Sequence, residues 1–190
     1  MLSLPRISAI LAVIVLAFFA ACSQEANFEE VYTRVSEGVL RPGDPIPIPQ
    51  QEVILTVNGK IGTTNTAAAI VMDRPTLEQV GLVEYSVQDP FADRQIRYRG
   101  VLMRDLLDLW QATNDVEMVH LTALNDYQVD IPVAEFRQYP ILFAMQADGT
   151  YMEPDYQGPA MLVFPVDSYS FDELVIRQRW IWQIKSIELK

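Results

Sequence analysis

After residue 22 the chain contains no cysteine. Whatever the rest folds into must be held by its hydrophobic core, because no intrachain disulfide and no thiolate metal site is possible there. The composition can supply that core: half of the chain is hydrophobic and 10% is aromatic, which argues against disorder over most of its length. The 169 residues from Cys22 onward suit one domain with a sizeable core and are too few for two comfortable ones.

The one cysteine, Cys22, ends an unbroken apolar run from Ala9 to Ala21 that follows Arg6. Phe19-Ala20-Ala21-Cys22 resembles the lipobox of bacterial lipoproteins, in which the cysteine is lipidated and becomes the mature N-terminus. The apolar run has the length of a signal-peptide core, whereas a spanning helix needs roughly 20 apolar residues. Residues 1–21 are therefore expected to be a lipoprotein signal peptide. Residues 22–51 are expected to be a tether, and 52–190 the folded domain. The protein is expected to be anchored to the cell envelope through lipid on Cys22, facing the periplasm or exterior. Ser23 favours the outer membrane if the cell has one. Within the tether, Phe28, Val31, Tyr32 and Val35 recur at helical spacing, which predicts a short helix over 28–37. Four prolines among the nine residues Arg41–Pro49 predict an extended, polyproline-like spacer.

From residue 52 onward, short β-like runs alternate with short helices. Val53, Leu55 and Val57 alternate before the turn signal Asn58-Gly59, and a second strand is expected over 67–72. Asp73 precedes a helix with Pro75 in its first turn, closed by Gly81. Strands are expected over 82–87 and 95–98 around the turn-rich segment 89–93. Leu102, Leu106, Leu109 and Trp110 mark an amphipathic helix. A hairpin over 118–131, a short helix at 133–137, a central strand at 141–145, a turn at Asp148-Gly149, and strands at 160–164 and 180–189 complete the pattern. The fold class expected is α+β, with a mixed, largely antiparallel coiled sheet and short covering helices.

Four segments carry a family resemblance: Tyr98-Arg-Gly-Val-Leu-Met-Arg-Asp-Leu-Leu107, Ala123-Leu-Asn-Asp-Tyr-Gln-Val-Asp-Ile-Pro132, Gln157-Gly-Pro-Ala-Met-Leu-Val-Phe-Pro165 and Trp180-Ile-Trp-Gln-Ile-Lys-Ser-Ile-Glu188. In this order and with these gaps, residues 51–190 resemble the oxidoreductase molybdopterin-binding domain, with its sulfite-oxidase-type fold, in its short exported version. The resemblance implies that fold and, in catalytic members, molybdenum held through a cysteine thiolate, whose softness helps tune the metal. This chain lacks that cysteine, and basic residues to grip a pterin phosphate are sparse. No cofactor is therefore expected, with molybdopterin held through non-thiolate contacts as the alternative, and no catalytic residue is nominated.

Charge narrows the partners further. From Cys22 onward, 13 basic residues face 25 acidic ones, a net of −12 with the single histidine neutral. Such a surface repels nucleic acid, which is excluded as a partner. One histidine and no free cysteine leave no zinc-like ligand spacing, and no nucleotide-binding glycine motif is present. The candidate ligand-binding residues are polar groups interrupting apolar strands. His120 lies between Val119 and Leu121 on the opposite face of a strand. Asn125, Asp126 and Tyr127 lie at a turn. In a strand over 177–182, Arg177 and Arg179 would share one face and could hold an anion, with Trp180 opposite as core or stacking platform. The role expected is a binding module for a small periplasmic ligand or for an envelope signalling protein.

Overall fold

The structure is a computed structural model, and it describes residues 27–190. The expected signal peptide and the lipidation site Cys22, with Ser23, lie outside the described residues. Strand alternation and capping signals resolve into eleven strands and four short α-helices among those described. Strands β1 (Thr33–Ser36), β4 (Leu82–Asp89), β5 (Arg94–Leu102), β8 (Leu142–Ala147) and β10 (Met161–Val163) form one antiparallel sheet in that order, and β9 (Thr150–Tyr151) pairs with β8. A second sheet has the order β3 (Ile70–Asp73), β2 (Val53–Gly59), β11 (Ile184–Leu189), β6 (Met118–Ala123), β7 (Gln128–Pro132). Its only parallel pair is β2 with β11. The fold is thus α+β and largely antiparallel, with the strands divided between two sheets.

Period-two alternation decides which side of each strand is buried. Leu55 and Val57 of β2, Val83, Tyr85 and Val87 of β4, and Val119 and Leu121 of β6 all belong to one continuous core. Tyr85 ties its sheet across that core, its hydroxyl donating to the carbonyls of Pro140 (3.1 Å) and Val163 (2.7 Å). The short helices lie at strand junctions. In α1 (Arg74–Glu78) the carboxylate of Asp73 accepts from the Thr76 N–H at 3.0 Å, and Gly81, at φ 114°, closes the segment. Helix α2 (Met103–Leu109) buries Met103, Leu106, Leu107 and Leu109 as its periodicity requires, and α3 (Val133–Gln138) buries Phe136.

Two expectations are corrected here. The predicted helix over 28–37 is a single 3₁₀ turn, Phe28–Glu30, followed by β1, which pairs with the edge of β4. A ten-residue helix is marginal alone, and an open sheet edge offers its backbone better partners. The tether boundary at 51 also moves. Leu40 and Ile46 are buried, Asn65 donates to the Pro47 carbonyl at 2.8 Å, and the N–H groups of Gln50 and Gln51 donate to Asp73 at 2.9 and 3.0 Å. The proline-rich segment is therefore docked on the domain rather than free of it.

The third correction matters most for the site. The segment expected to lead a strand at 177–182 is a helix, α4 (Glu173–Arg179), and the strand β11 begins only at Ile184. Its start is signalled by Asp172, whose carboxylate accepts from the Val175 N–H at 3.0 Å.

Candidate functional site

Two turns and the end of α4 bring the candidate residues together. Between β6 and β7 the chain reverses through Asn125 and Asp126, with Asp126 at φ 64°, a conformation that Asn and Asp tolerate. Asn125 Oδ1 accepts from the Tyr127 N–H at 3.1 Å, so the tyrosine is held by its own turn. The Tyr127 hydroxyl then reaches over to donate to the Gln178 carbonyl near the end of α4, at 2.7 Å. Between β4 and β5 the buried carboxylate of Asp89 accepts from the N–H groups of Phe91 (2.8 Å) and Ala92 (2.7 Å), which fixes the position of Phe91. Tyr98 donates to the same carboxylate at 2.6 Å, and burial together with that bond pushes the phenol well above its ordinary pKa.

These turns and the end of α4 enclose a pocket of about 230 Å³ lined by Phe91, Asn125, Tyr127, Arg177, Trp180 and Trp182, with Ala123 and Ile181 behind them. Phe91 and Trp182 meet edge to face, with ring centroids 5.1 Å apart, and the Arg177 guanidinium lies 5.5 Å from the Phe91 ring. Trp180 packs against Phe164, with centroids 6.0 Å apart. It is 2% exposed, and its buried indole N–H has no hydrogen-bond partner. A buried indole N–H normally finds an acceptor, so this donor is an exception that calls for explanation.

Of the residues nominated from sequence, Asn125, Tyr127, Arg177 and Trp180 share this pocket. The other three do not. His120 faces away from Val119 and Leu121 as its strand position requires, and its Nδ1 is 2.8 Å from Asp130 Oδ1 directly across the β6–β7 ladder. Asp126 is paired with Lys185 at 2.6 Å, and that ammonium holds its carboxyl below the usual range. Arg179 Nη1 donates to both carboxylate oxygens of Glu135, at 2.6 and 2.8 Å. The arginines part because α4 is helical. Residues two apart share a strand face but not a helix face. Phe91 and Trp182 were not nominated. Phe91 carried one usable signal, a large aromatic side chain in a turn; Trp182 reads from sequence as one more core residue.

Residues 83–185 match the family described as the oxidoreductase molybdopterin binding domain. The chain belongs to that family. Every residue lining the pocket lies within the matched stretch. Among solved structures, the domain is similar to the sulfane dehydrogenase SoxCD from Paracoccus pantotrophus, with a TM-score of 0.55 at 13% identity. The alignment covers 76% of this chain and 39% of that one, and at this identity it carries the fold alone. No curated protein matches the sequence.

The family is named for molybdopterin, so the residues present can be tested against that group. They do not fit a thiolate-held molybdenum. The chain has no cysteine beyond Cys22, and among the described residues no group of three or more His, Cys, Asp or Glu side chains is placed to hold a metal. Nor are cations grouped to grip a phosphate: Arg179 and Lys185 are held by Glu135 and Asp126, which leaves Arg177, in an exposed pair with Glu173, as the one cation lining the aromatic pocket. The aromatic pocket is also small beside the roughly 300–1,000 Å³ usual for larger ligands. A larger cleft of about 530 Å³ contains Arg74 and Lys185, yet Glu52 and Glu153 line it as well, and Arg74 lies 3.8 Å from Glu153.

Proposed function

We propose that this molybdopterin-binding-type domain works as a metal-free binding module, carried at the cell envelope by a lipid on Cys22. The reading rests chiefly on the pocket beside Trp180, which has an aromatic wall and a single guanidinium. The ligand meets Trp182, Phe91 and Tyr127 by stacking and edge contacts over the buried Trp180, while Asn125 and Arg177 orient its polar end. An envelope signalling protein that reads the occupied state is the natural recipient of such binding.

Docking of the proline-rich segment alters the geometry of the anchor. Ten residues separate Cys22 from the start of β1, so a lipid on Cys22 would hold the domain close to the membrane rather than on a long stalk. Among the described residues no helix is long and apolar enough to cross a membrane.

The alternative, a molybdopterin-like cofactor retained through non-thiolate contacts, is favoured by family membership alone. Metal analysis and an absorption spectrum of protein purified from its native host separate the two. The expected result is colourless, folded protein without stoichiometric molybdenum. Molybdenum near one per chain overturns the binding-module reading. Anchoring is tested by labelling with a radioactive fatty acid: Cys22→Ala should lose the label and leave the membrane fraction, and a labelled variant refutes the lipid assignment.

A further inference from the structure

The lining of the pocket beside Trp180 restricts its ligand to a narrow chemical class. Four of its walls are aromatic rings, and two of these, Phe91 and Tyr127, are 45% and 46% exposed at the mouth. Large aromatic side chains left half in water around a concavity are the usual mark of a surface kept for a planar partner. No carboxylate lines the pocket, whereas Arg177 does. Recognition of a cation is therefore disfavoured and recognition of an anion favoured.

Arg177 is also available. Its ion-pair partner is Glu173 one helical turn earlier, at 3.2 Å, and the Glu173 side chain is 80% exposed. Such an exposed pair contributes almost nothing to stability, so a ligand carboxylate can take over the guanidinium at little cost. The guanidinium already lies 5.5 Å from the Phe91 ring, which places the positive end of the pocket beside an aromatic wall. Size sets the remaining limit. An apolar cavity of about 150 Å³ takes up benzene, so a pocket of about 230 Å³ has room for one ring together with a carboxylate.

Building on the binding-module reading, we infer that this pocket is a site for single-ring aromatic carboxylates. The ring lies among Phe91, Tyr127 and Trp182, over the buried Trp180, and the carboxylate pairs with Arg177, supported by the Asn125 amide.

The test uses the full chain in detergent, with benzoate as probe and tryptophan fluorescence as readout. Benzoate should quench saturably, with a Kd of about 10 μM to a few mM for so small a ligand. Benzamide, which has the same shape without the charge, should bind at least tenfold more weakly, and acetate should not quench. Arg177→Gln should bring benzoate down to the benzamide level, and Phe91→Leu should weaken both. Both positions are partly exposed, and a thermal melt shows that each variant is folded. Equal binding of benzamide and benzoate, an unaffected Arg177→Gln variant, or the absence of saturable quenching overturns the inference. A thermal shift with benzylamine, toluene or an acyclic dicarboxylate, and none with benzoate, overturns the inference alone and leaves the binding-module reading standing. Stoichiometric molybdenum overturns the reading beneath it.

Discussion

Replacing Asp89 by alanine should unfold the β4–β5 corner and with it one wall of the pocket. The carboxylate is fully buried and accepts three hydrogen bonds, from the Phe91 N–H, the Ala92 N–H and the Tyr98 hydroxyl, at 2.6–2.8 Å. Tyr98 is itself inaccessible to water, so its orphaned hydroxyl alone should cost about 1–3 kcal/mol. The two N–H groups lie nearer the surface, where water partly replaces the lost acceptor, and each adds about 0.5–1.5 kcal/mol. The expected loss is about 4 kcal/mol, which for a domain of this size lowers Tm by roughly 8–16 °C. Urea unfolding and thermal melts followed by circular dichroism measure it. Asp89→Asn keeps an acceptor for the two N–H groups and should fall between wild type and alanine, and Tyr98→Phe should cost less than either. Because the same bonds hold Phe91, benzoate quenching should weaken in Asp89→Ala even at temperatures where the variant is folded. A loss below about 1 kcal/mol would show that the three bonds do not hold the corner.

Three further outcomes follow from the structure. Asp73 is buried, which alone would raise its carboxyl, but bonds from the Thr76 hydroxyl and N–H and from the N–H groups of Gln51 and Gln50 outweigh burial and hold it below the usual range. Its stabilising contribution is therefore complete above the unfolded pKa of about 3.9 and is lost as pH falls through the lower folded value; Asp73→Asn should flatten acid unfolding curves below about pH 4. Gly100 sits at a bulge in the β5–β8 pairing, where an added Cβ would collide with the Phe143 carbonyl and the Ala144 Cα. Gly100→Ala should cost about 3 kcal/mol or more, because backbone atoms cannot step aside as a side chain would, and a melt within a few degrees of wild type would contradict the close approach. The Arg179–Glu135 pair is about one-fifth exposed on each side, so a double-mutant cycle with Arg179→Met and Glu135→Gln should give a coupling of about 1 kcal/mol or more while leaving benzoate affinity unchanged.

Local signals carried much of the fold. The Asp73 cap with Pro75, the amphipathic period of α2, the turn at Asn125-Asp126 and the alternation in β2 and β6 each depend on residues within a few positions of one another, and each element lies where its pattern points. The errors have the same origin. Thr33–Ser36 is a strand because β4 offers it an edge, and the Asp172 cap makes 173–179 a helix. A strand period puts Arg177 and Arg179 on one face, whereas the helix sends one to the pocket and the other to Glu135.

By itself, the sequence determined a core-held α+β domain with no thiolate beyond Cys22, because composition and local periodicity are properties of neighbours along the chain; the molybdopterin-binding family entered through the resemblance of four of its segments. Only the tertiary structure decided that Phe91, Tyr127, Arg177 and Trp180, from three separate connections, enclose one cavity, and that His120, Asp126 and Arg179 are already paired with Asp130, Lys185 and Glu135. Convergence of that kind follows from strand order and register, which hydrophobic burial sets over long separations and which no local pattern encodes.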